Sequence, residues 1–316
     1  MFWQNKGFPR CFGLNLSIDS IQGEKVVCTS SYPQGTAIYP PINTLSATMN
    51  PTLMNEYLEF CEFRRTALTS GILDLQNLKW VYPTTLLPLG SMIRGTGKRL
   101  EYKPPEKEDV RGYIDHMVQM KSIAYSPGRS YIPIALLPRN GINANEVVKP
   151  IFKFHSNGEK YGGEGAFKYF IWELVNNIYE HSEFTESMVM AQRYEKKGFA
   201  EIAFLDNGIT INGSLKKAGK GLDEDFDAIS RAMEGLSAKK DQGRGYGLWS
   251  TTRLCIEGLG GNILIVSGAG AVYYGEARQL RKKYKLSQEY LRLEGTLISL
   301  MIPYPAKKVE VNEYVS

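Results

Sequence analysis

A glutamate and an asparagine one helical turn apart are the residues of this chain whose types and spacing could do chemistry. Residues 167–182 place apolar side chains three and four positions apart, which predicts an amphipathic helix. Glu173 and Asn177 then stack on one flank of its apolar face, while Asn176 points away from the core. A carboxylate there could orient a water molecule, and an amide oxygen could hold a hard cation. The alternative is a polar helix rim that binds nothing.

Two glycine-containing segments could supply further contacts. Asp206 ends a predicted strand just before Asn207 and Gly208. Its carboxylate could accept a hydrogen bond from a ligand, and Gly208 would let that ligand approach closely, although a hairpin turn is the alternative. Residues 243–248 read Gly-Arg-Gly-Tyr-Gly-Leu before a predicted helix, and their backbone amides could face a polyphosphate. The alternative for this segment is a flexible hinge.

Four motifs in register resemble those of the GHKL ATPases, the family of gyrase, Hsp90, histidine kinases and MutL. They are an N-box at residues 173–182, a first glycine box at 205–208, a second at 243–248 and a Gly-Thr element at 295–296. The resemblance covers residues 155–305. It implies an α/β fold in which residues 151–306 form a two-layer α/β sandwich of the Bergerat type, with ATP and Mg²⁺ as cofactors.

The resemblance also implies roles for single residues. Glu173 would be the general base, Asn177 the Mg²⁺ ligand and Asp206 the acceptor for the adenine amino group. The other nucleotide contacts it implies are His181, Gly208, Lys239, Gly243, Arg244, Gly245, Tyr246, Gly247, Leu248 and Thr296. The family usually has a second glycine two residues after the first, where this chain has Thr210.

The resemblance implies three alternative functions. The first is a Mg-dependent ATPase or nucleotide-dependent switch that regulates a protein partner, with a homodimer also open. The second is a protein kinase of the anti-sigma-factor or two-component type. The third is a scaffold that binds nucleotide without turnover.

Composition excludes other classes of function. The formal charge of +5 is spread along the chain, and no basic run predicts nucleic-acid binding. The four cysteines are scattered without a CxxC pair, which argues against a metal or disulfide framework and favours a reducing compartment. No apolar run is long enough for a membrane, so the expected location is cytoplasmic.

Residues 1–150 are predicted to form a smaller α/β domain with a regulatory or sensor role. A strand at 71–78, a second short strand and a helix starting near Pro83 resemble a STAS module, with Thr84 and Thr85 where such modules often carry a phosphorylated serine. An unrelated α/β module is the alternative. His116, after Asp115, weakly resembles a histidine-kinase phosphoacceptor.

Periodicity predicts the remaining elements. Residues 196–198 join two strands into a hairpin, and residues 277–293 form a basic, solvated surface element before a tail at 307–316. The other predicted helices are 52–67, 110–120, 226–236 and 248–259, and the strands are one or two within 1–30, then 131–138, 187–194, 199–205, 262–266 and 296–302.

Overall fold

The fold is mixed α/β, with one large sheet covered by helices on both faces. A computed structural model describes residues 18–21, 25–28, 52–95, 100–118, 130–139, 144–154, 160, 162–238, 247–275 and 280–315. The α/β prediction is confirmed at this level, and the Bergerat assignment stays a prediction. Among these residues, no helix has both the length and the apolar character required to span a membrane.

Nine strands form the main sheet in the order β1-β2-β10-β9-β8-β11-β7-β6-β5. The seven from β10 to β5 are antiparallel to their neighbours, whereas β2 runs parallel to β10. Strands β3 and β4 form a separate parallel pair. The bounds are β1 Ile18–Ile21, β2 Lys25–Cys28, β3 Ile72–Asp74, β4 Glu101–Lys103, β5 Tyr131–Leu136, β6 Ser187–Tyr194, β7 Phe199–Asp206, β8 Asn262–Gly268, β9 Gly270–Gly275, β10 Leu280–Leu286 and β11 Leu293–Pro303.

Two helical layers enclose this sheet. The helices are α1 Thr52–Ser70, α2 Pro83–Gly95, α3 Glu108–Val118, α4 Ala144–Phe154, α5 Glu164–His181, α6 Ile211–Lys217, α7 Asp225–Met233, α8 Gly247–Arg253 and α9 Asn312–Val315. Buried side chains of α4, α5 and α7 share one core cluster with one face of the sheet, and those of α1, α2 and α3 share a second cluster with the other face. In β7, Ile202 and Phe204 belong to the first cluster, and Ala203 and Leu205 to the second.

Local patterns predicted most elements well. Strands β6 and β7 form the expected hairpin, with Gly198 in the left-handed conformation at the turn. Helices α1, α3, α5 and α7, and the helix at Pro83, lie where periodicity placed them. The predicted helix 248–259 is α8 followed by a π-helical turn, Leu254–Gly258. Proline and glycine residues also predict turns at 32–41 and 140–141, and these two segments lie outside the described residues.

Two predictions about elements were wrong. Within the segment 277–293, the prediction of a solvated surface element was wrong for β10, which is a strand inside the sheet with Tyr284 and Leu286 buried. Residues 80–82 form no strand before α2. The strand β9, between β8 and β10, was not predicted.

The two halves of the chain meet within one sheet. The predicted boundary at residue 150 lies inside α4, and β5 pairs with β6 across it. Helices α1 to α3 pack on the same sheet that carries β7 and β8. The predicted tail also packs against the core, through Val309, Val311 and Tyr314. A regulatory or sensor role for residues 1–150 stays a prediction.

Candidate functional site

A cavity of about 440 Å³ lies between α5, the ends of β7 and β11, and helices α6 to α8. Its size is that of a small-molecule site. The predicted site residues that line it are Glu173, Asn177, His181, Asp206, Gly247, Leu248 and Thr296. Gly208 lies next to Ser182, which lines the cavity. The predicted contacts Lys239, Gly243, Arg244, Gly245 and Tyr246 lie outside the described residues.

Helix α5 supplies the polar flank of the cavity. Its apolar stripe, including Phe167, Phe170 and Leu174, is fully buried. This packing fixes the rotation of the helix, and it leaves Glu173 and Asn177 half-buried at the edge of the stripe. The predicted placement of these two side chains, one turn apart and facing one space, is what the structure shows.

The first residue of α8 lies directly against that flank. A Cβ atom added to Gly247 would collide with the Glu173 carboxylate and lie 3.3 Å from Asn177 Oδ1. The glycine therefore lets the α8 backbone approach both polar side chains. Asn177 Nδ2 is buried and has no hydrogen-bond partner within the described parts of the chain. A buried amide left in this way costs about 1–3 kcal/mol, which a bound ligand or water could recover.

Asp206 lines the cavity near Ser182, beside the C-terminal end of α5. It is the last residue of β7 and is only 3% exposed. Burial raises the pKa of its carboxyl group to about 7, although the Gly208 N–H, 2.9 Å from Oδ1, and the Ser182 hydroxyl both lower it. The carboxyl group is therefore held by few donors and can accept one more hydrogen bond.

Thr296 sits opposite Asp206 in the sheet. The two residues are paired in the β7–β11 register, and Thr296 Oγ1 lies 2.9 Å from Ser267 Oγ. Ser267 also accepts a hydrogen bond from the Ile211 N–H at 2.9 Å. Sequence reasoning missed Ser267, which orients the threonine hydroxyl. The available signal was a polar residue at the end of an otherwise apolar strand.

Gly208 allows the segment after β7 to pack against the end of α5. A Cβ at this position would lie 2.6 Å from the Ser182 carbonyl carbon, and the next N–H, that of Ile209, donates to the Ser182 oxygen at 2.6 Å. Thr210 caps α6 by accepting the Gly213 N–H at 3.0 Å. This cap gives a physical reason for a threonine where the family pattern has glycine.

Gly208→Ala is therefore expected to destabilise the protein by about 3 kcal/mol or more, because the added methyl group meets backbone atoms that cannot rotate away. Urea denaturation measures the change in the free energy of unfolding. Gly219→Ala is a useful comparison, since its Cβ would meet nothing within 4 Å and its positive φ costs only local strain. Equal losses for the two variants would contradict the proposed close contact.

The cavity wall also has an apolar part. Ile178, Ile209, Ile211, Leu215 and Ile298 line it, among polar residues such as Thr210 and Ser214. Sequence reasoning missed these residues because they come from three separate elements and the turn before α6, and nothing local marks them as neighbours. A wall that mixes apolar and polar side chains suits a partly polar ligand.

Two further predictions concern His181 and the binding of a metal ion. His181 ends α5 and lines the cavity, with its Nε2 3.9 Å from a Glu180 carboxylate oxygen. Across the described ranges, no cluster of three or more His, Cys, Asp or Glu side chains could hold a metal ion. The role of Asn177 as a Mg²⁺ ligand stays a prediction.

The predicted phosphoacceptor positions have different surroundings. Thr84 and Thr85 are fully buried, and their hydroxyl groups donate to Glu201 and to the Glu56 carbonyl group. His116 is half-buried, with its ring edge-on to Tyr131. In this conformation neither threonine could receive a phosphate.

The fold and the cavity define a mixed α/β protein with a small-molecule pocket at one end of its sheet. Comparisons with protein-family models, with curated proteins and with solved structures each gave no match.

Proposed function

We propose that this chain binds ATP in the cavity and works as a GHKL-type ATPase or nucleotide-dependent switch. The observation that carries the proposal is the meeting of four distant segments at one cavity. Glu173 and Asn177 on α5, Asp206 on β7, Gly247 on α8 and Thr296 on β11 all line it. The resemblance to the family assigns a role in nucleotide binding or turnover to each of these five residues.

The adenine would lie between Asp206 and the apolar wall. Its amino group would donate to the Asp206 carboxylate. Because Ser267 Oγ donates to the Gly295 carbonyl group at 3.2 Å, the Thr296 hydroxyl donates to Ser267 and would reach a ring nitrogen through a water molecule. Ile178 and Ile298 would cover the faces of the ring. Ionised Asp206 is the better acceptor, so binding is expected to improve as the pH rises through about 7.

The phosphates would lie at the other end, near Glu173 and the first turn of α8. Asn177 would use its side-chain oxygen to hold Mg²⁺, and the bound ion would neutralise phosphate charge. Glu173 would accept a proton from an attacking water molecule, which it can reach because it is only half-buried. The switch would act on a protein partner, and the chain could also form a homodimer.

Calorimetry with ADP and a non-hydrolysable ATP analogue, with and without Mg²⁺, tests the proposal. Wild type should bind both nucleotides, and Asp206→Asn should weaken binding about 10- to 100-fold, because the base amino group loses a charged acceptor. Asp223→Asn is the matched control, since Asp223 is exposed on the loop between α6 and α7 and does not line the cavity. Absence of heat with either nucleotide would refute the proposal.

A further inference from the structure

A hydrogen-bonded chain joins α5 to the first turn of α8 beside the cavity. The Tyr169 hydroxyl lies 2.8 Å from Ser250 Oγ, and Ser250 Oγ donates to the Gly247 carbonyl group at 3.2 Å. Because the serine has one hydroxyl proton, which it gives to Gly247, the tyrosine must be the donor in the first contact. The chain therefore runs from Tyr169 through Ser250 to Gly247.

Both ends of this chain touch the residues of the proposed chemistry. Tyr169 lies one turn before Glu173 on the same face of α5, and both line the cavity. Gly247 is in contact with the Glu173 carboxylate and with Asn177. The negative charge of Glu173 contributes, after burial, to raising the pKa of Tyr169. The tyrosine and the glutamate therefore share one polar environment.

We propose that Tyr169 and Ser250 are positioning residues for ATP turnover, holding the first turn of α8 at a fixed distance from Glu173. This inference rests on the proposed function. Helix α8 begins at Gly247, so a shift of its first turn would move the backbone that lies against the Glu173 carboxylate. A displacement of about 1 Å between a catalytic group and its reacting atom can cost about a hundredfold in rate.

The contact has the properties that such a role needs. Ser250 is fully buried, so water cannot readily replace the tyrosine hydroxyl. Tyr169 is only half-buried, and its ring packs against the core without depending on the hydroxyl group. Removing the oxygen atom alone should therefore release α8 and leave α5 folded.

The test compares Tyr169→Phe, Ser250→Ala and the double variant with wild type. Tyr179→Phe is the matched control, because Tyr179 lies on the same helix but donates to the Pro138 carbonyl group at 2.6 Å and does not line the cavity. Tyr169→Phe and Ser250→Ala should each lower kcat about tenfold with KM changed less than about twofold, and the double variant should lose no more than the worse single. The control should keep wild-type kcat.

Hydrogen exchange in α8 separates this inference from the function on which it rests. Amides of residues 251–253 should exchange faster in Tyr169→Phe than in Tyr179→Phe. Equal exchange in the two variants would overturn the positioning role, as would faster exchange with unchanged kcat. Wild type that binds no nucleotide would instead refute the proposed function, and the exchange comparison would still decide whether the contact holds α8.

Discussion

The free energy of unfolding is expected to fall as the pH rises from 5 to 8, because two carboxyl groups face each other beneath the sheet. Glu201 on β7 is fully buried, and Glu56 on α1 is 5% exposed. Burial raises the pKa of Glu201 to about 7. Burial and the neighbouring Glu201 raise the pKa of Glu56 well above its usual value. Two carboxylates in contact cannot both ionise cheaply, so the pair shares a proton.

The pair also holds the start of α2. Glu201 Oε1 accepts the Thr84 N–H at 2.7 Å and the Thr84 hydroxyl at 2.6 Å. The carboxyl group of Glu201 also faces Glu56. Tyr113 and Tyr194 lie near Glu201, and Glu59 lies near Glu56. The negative charge of ionised Glu201 is favourable at the N-terminus of α2, whereas a second charge on Glu56 is not.

The raised pKa values explain why the free energy of unfolding falls as the pH rises. A carboxyl group whose folded pKa exceeds its unfolded value near 4.5 contributes its full stability below pH 4.5, and loses it as the pH rises through about 7. Burial gives Glu59 and Asp206 folded pKa values of about 7 as well, so they act in the same direction. Each carboxyl group whose folded pKa is about 7 contributes ~2–3 kcal/mol to the loss between pH 5 and 8, and the contributions have the same sign.

Glu56→Gln should make this decline shallower, because the amide keeps a hydrogen-bond donor toward Glu201 at every pH. The measurement is urea denaturation at pH 5, 6, 7 and 8. Glu62→Gln on the same helix is the matched control, since Glu62 pairs with Arg65 at the half-exposed surface. A Glu56→Gln profile parallel to that of wild type would contradict the shared proton.

Regular local patterns made much of the fold predictable. The apolar stripe of α5 and the paired strands β6 and β7 follow from spacing within a few residues, and the structure places them where the spacing did. The sequence of β7 also contains a signal that both faces of the strand are buried. Its run of apolar residues lacks the alternation of a sheet with one face in water. The buried Glu201 interrupts that run.

Strand β10 shows why other elements escaped prediction. Its basic residues look solvated in the sequence, yet Arg281, Lys283 and Lys285 pair with Glu234, Asp227 and Glu224 around α7. The partners lie 47 to 61 residues away, so no local window contains both charges. Long-range pairing therefore turned an apparently exposed basic segment into a sheet strand.

The sequence likewise predicted some features of the candidate site and not others. Residue types and spacing identified Glu173, Asn177, Asp206 and Thr296, because each belongs to a short motif. The contacts that orient them were not predicted. Ser267 stands out in the sequence as a polar residue at the end of an apolar strand, but its contact with Thr296 joins neighbouring strands 29 residues apart, and no local window contains both residues.

Glu173→Gln is expected to lower ATP turnover about 10²- to 10⁴-fold, the usual contribution of a general base. Nucleotide affinity should stay within about threefold of wild type, because the amide has nearly the same shape as the carboxylate and the adenine end at Asp206 is unchanged. Single-turnover phosphate release measures the first quantity, and calorimetry measures the second. Glu164→Gln is the matched control, since Glu164 lies in the first turn of the same helix, pairs with Lys168 and does not line the cavity.

The same experiment separates the three functions, because each makes a different product from labelled ATP. Free phosphate that disappears with Glu173→Gln supports the ATPase, and label on the protein or an added partner supports the kinase. If both wild type and Glu173→Gln bind nucleotide and make neither product, the result supports the scaffold function. A wild-type rate in Glu173→Gln would contradict the general-base role, since no other carboxylate on α5 combines partial burial with contact to the first residue of α8 in the described chain.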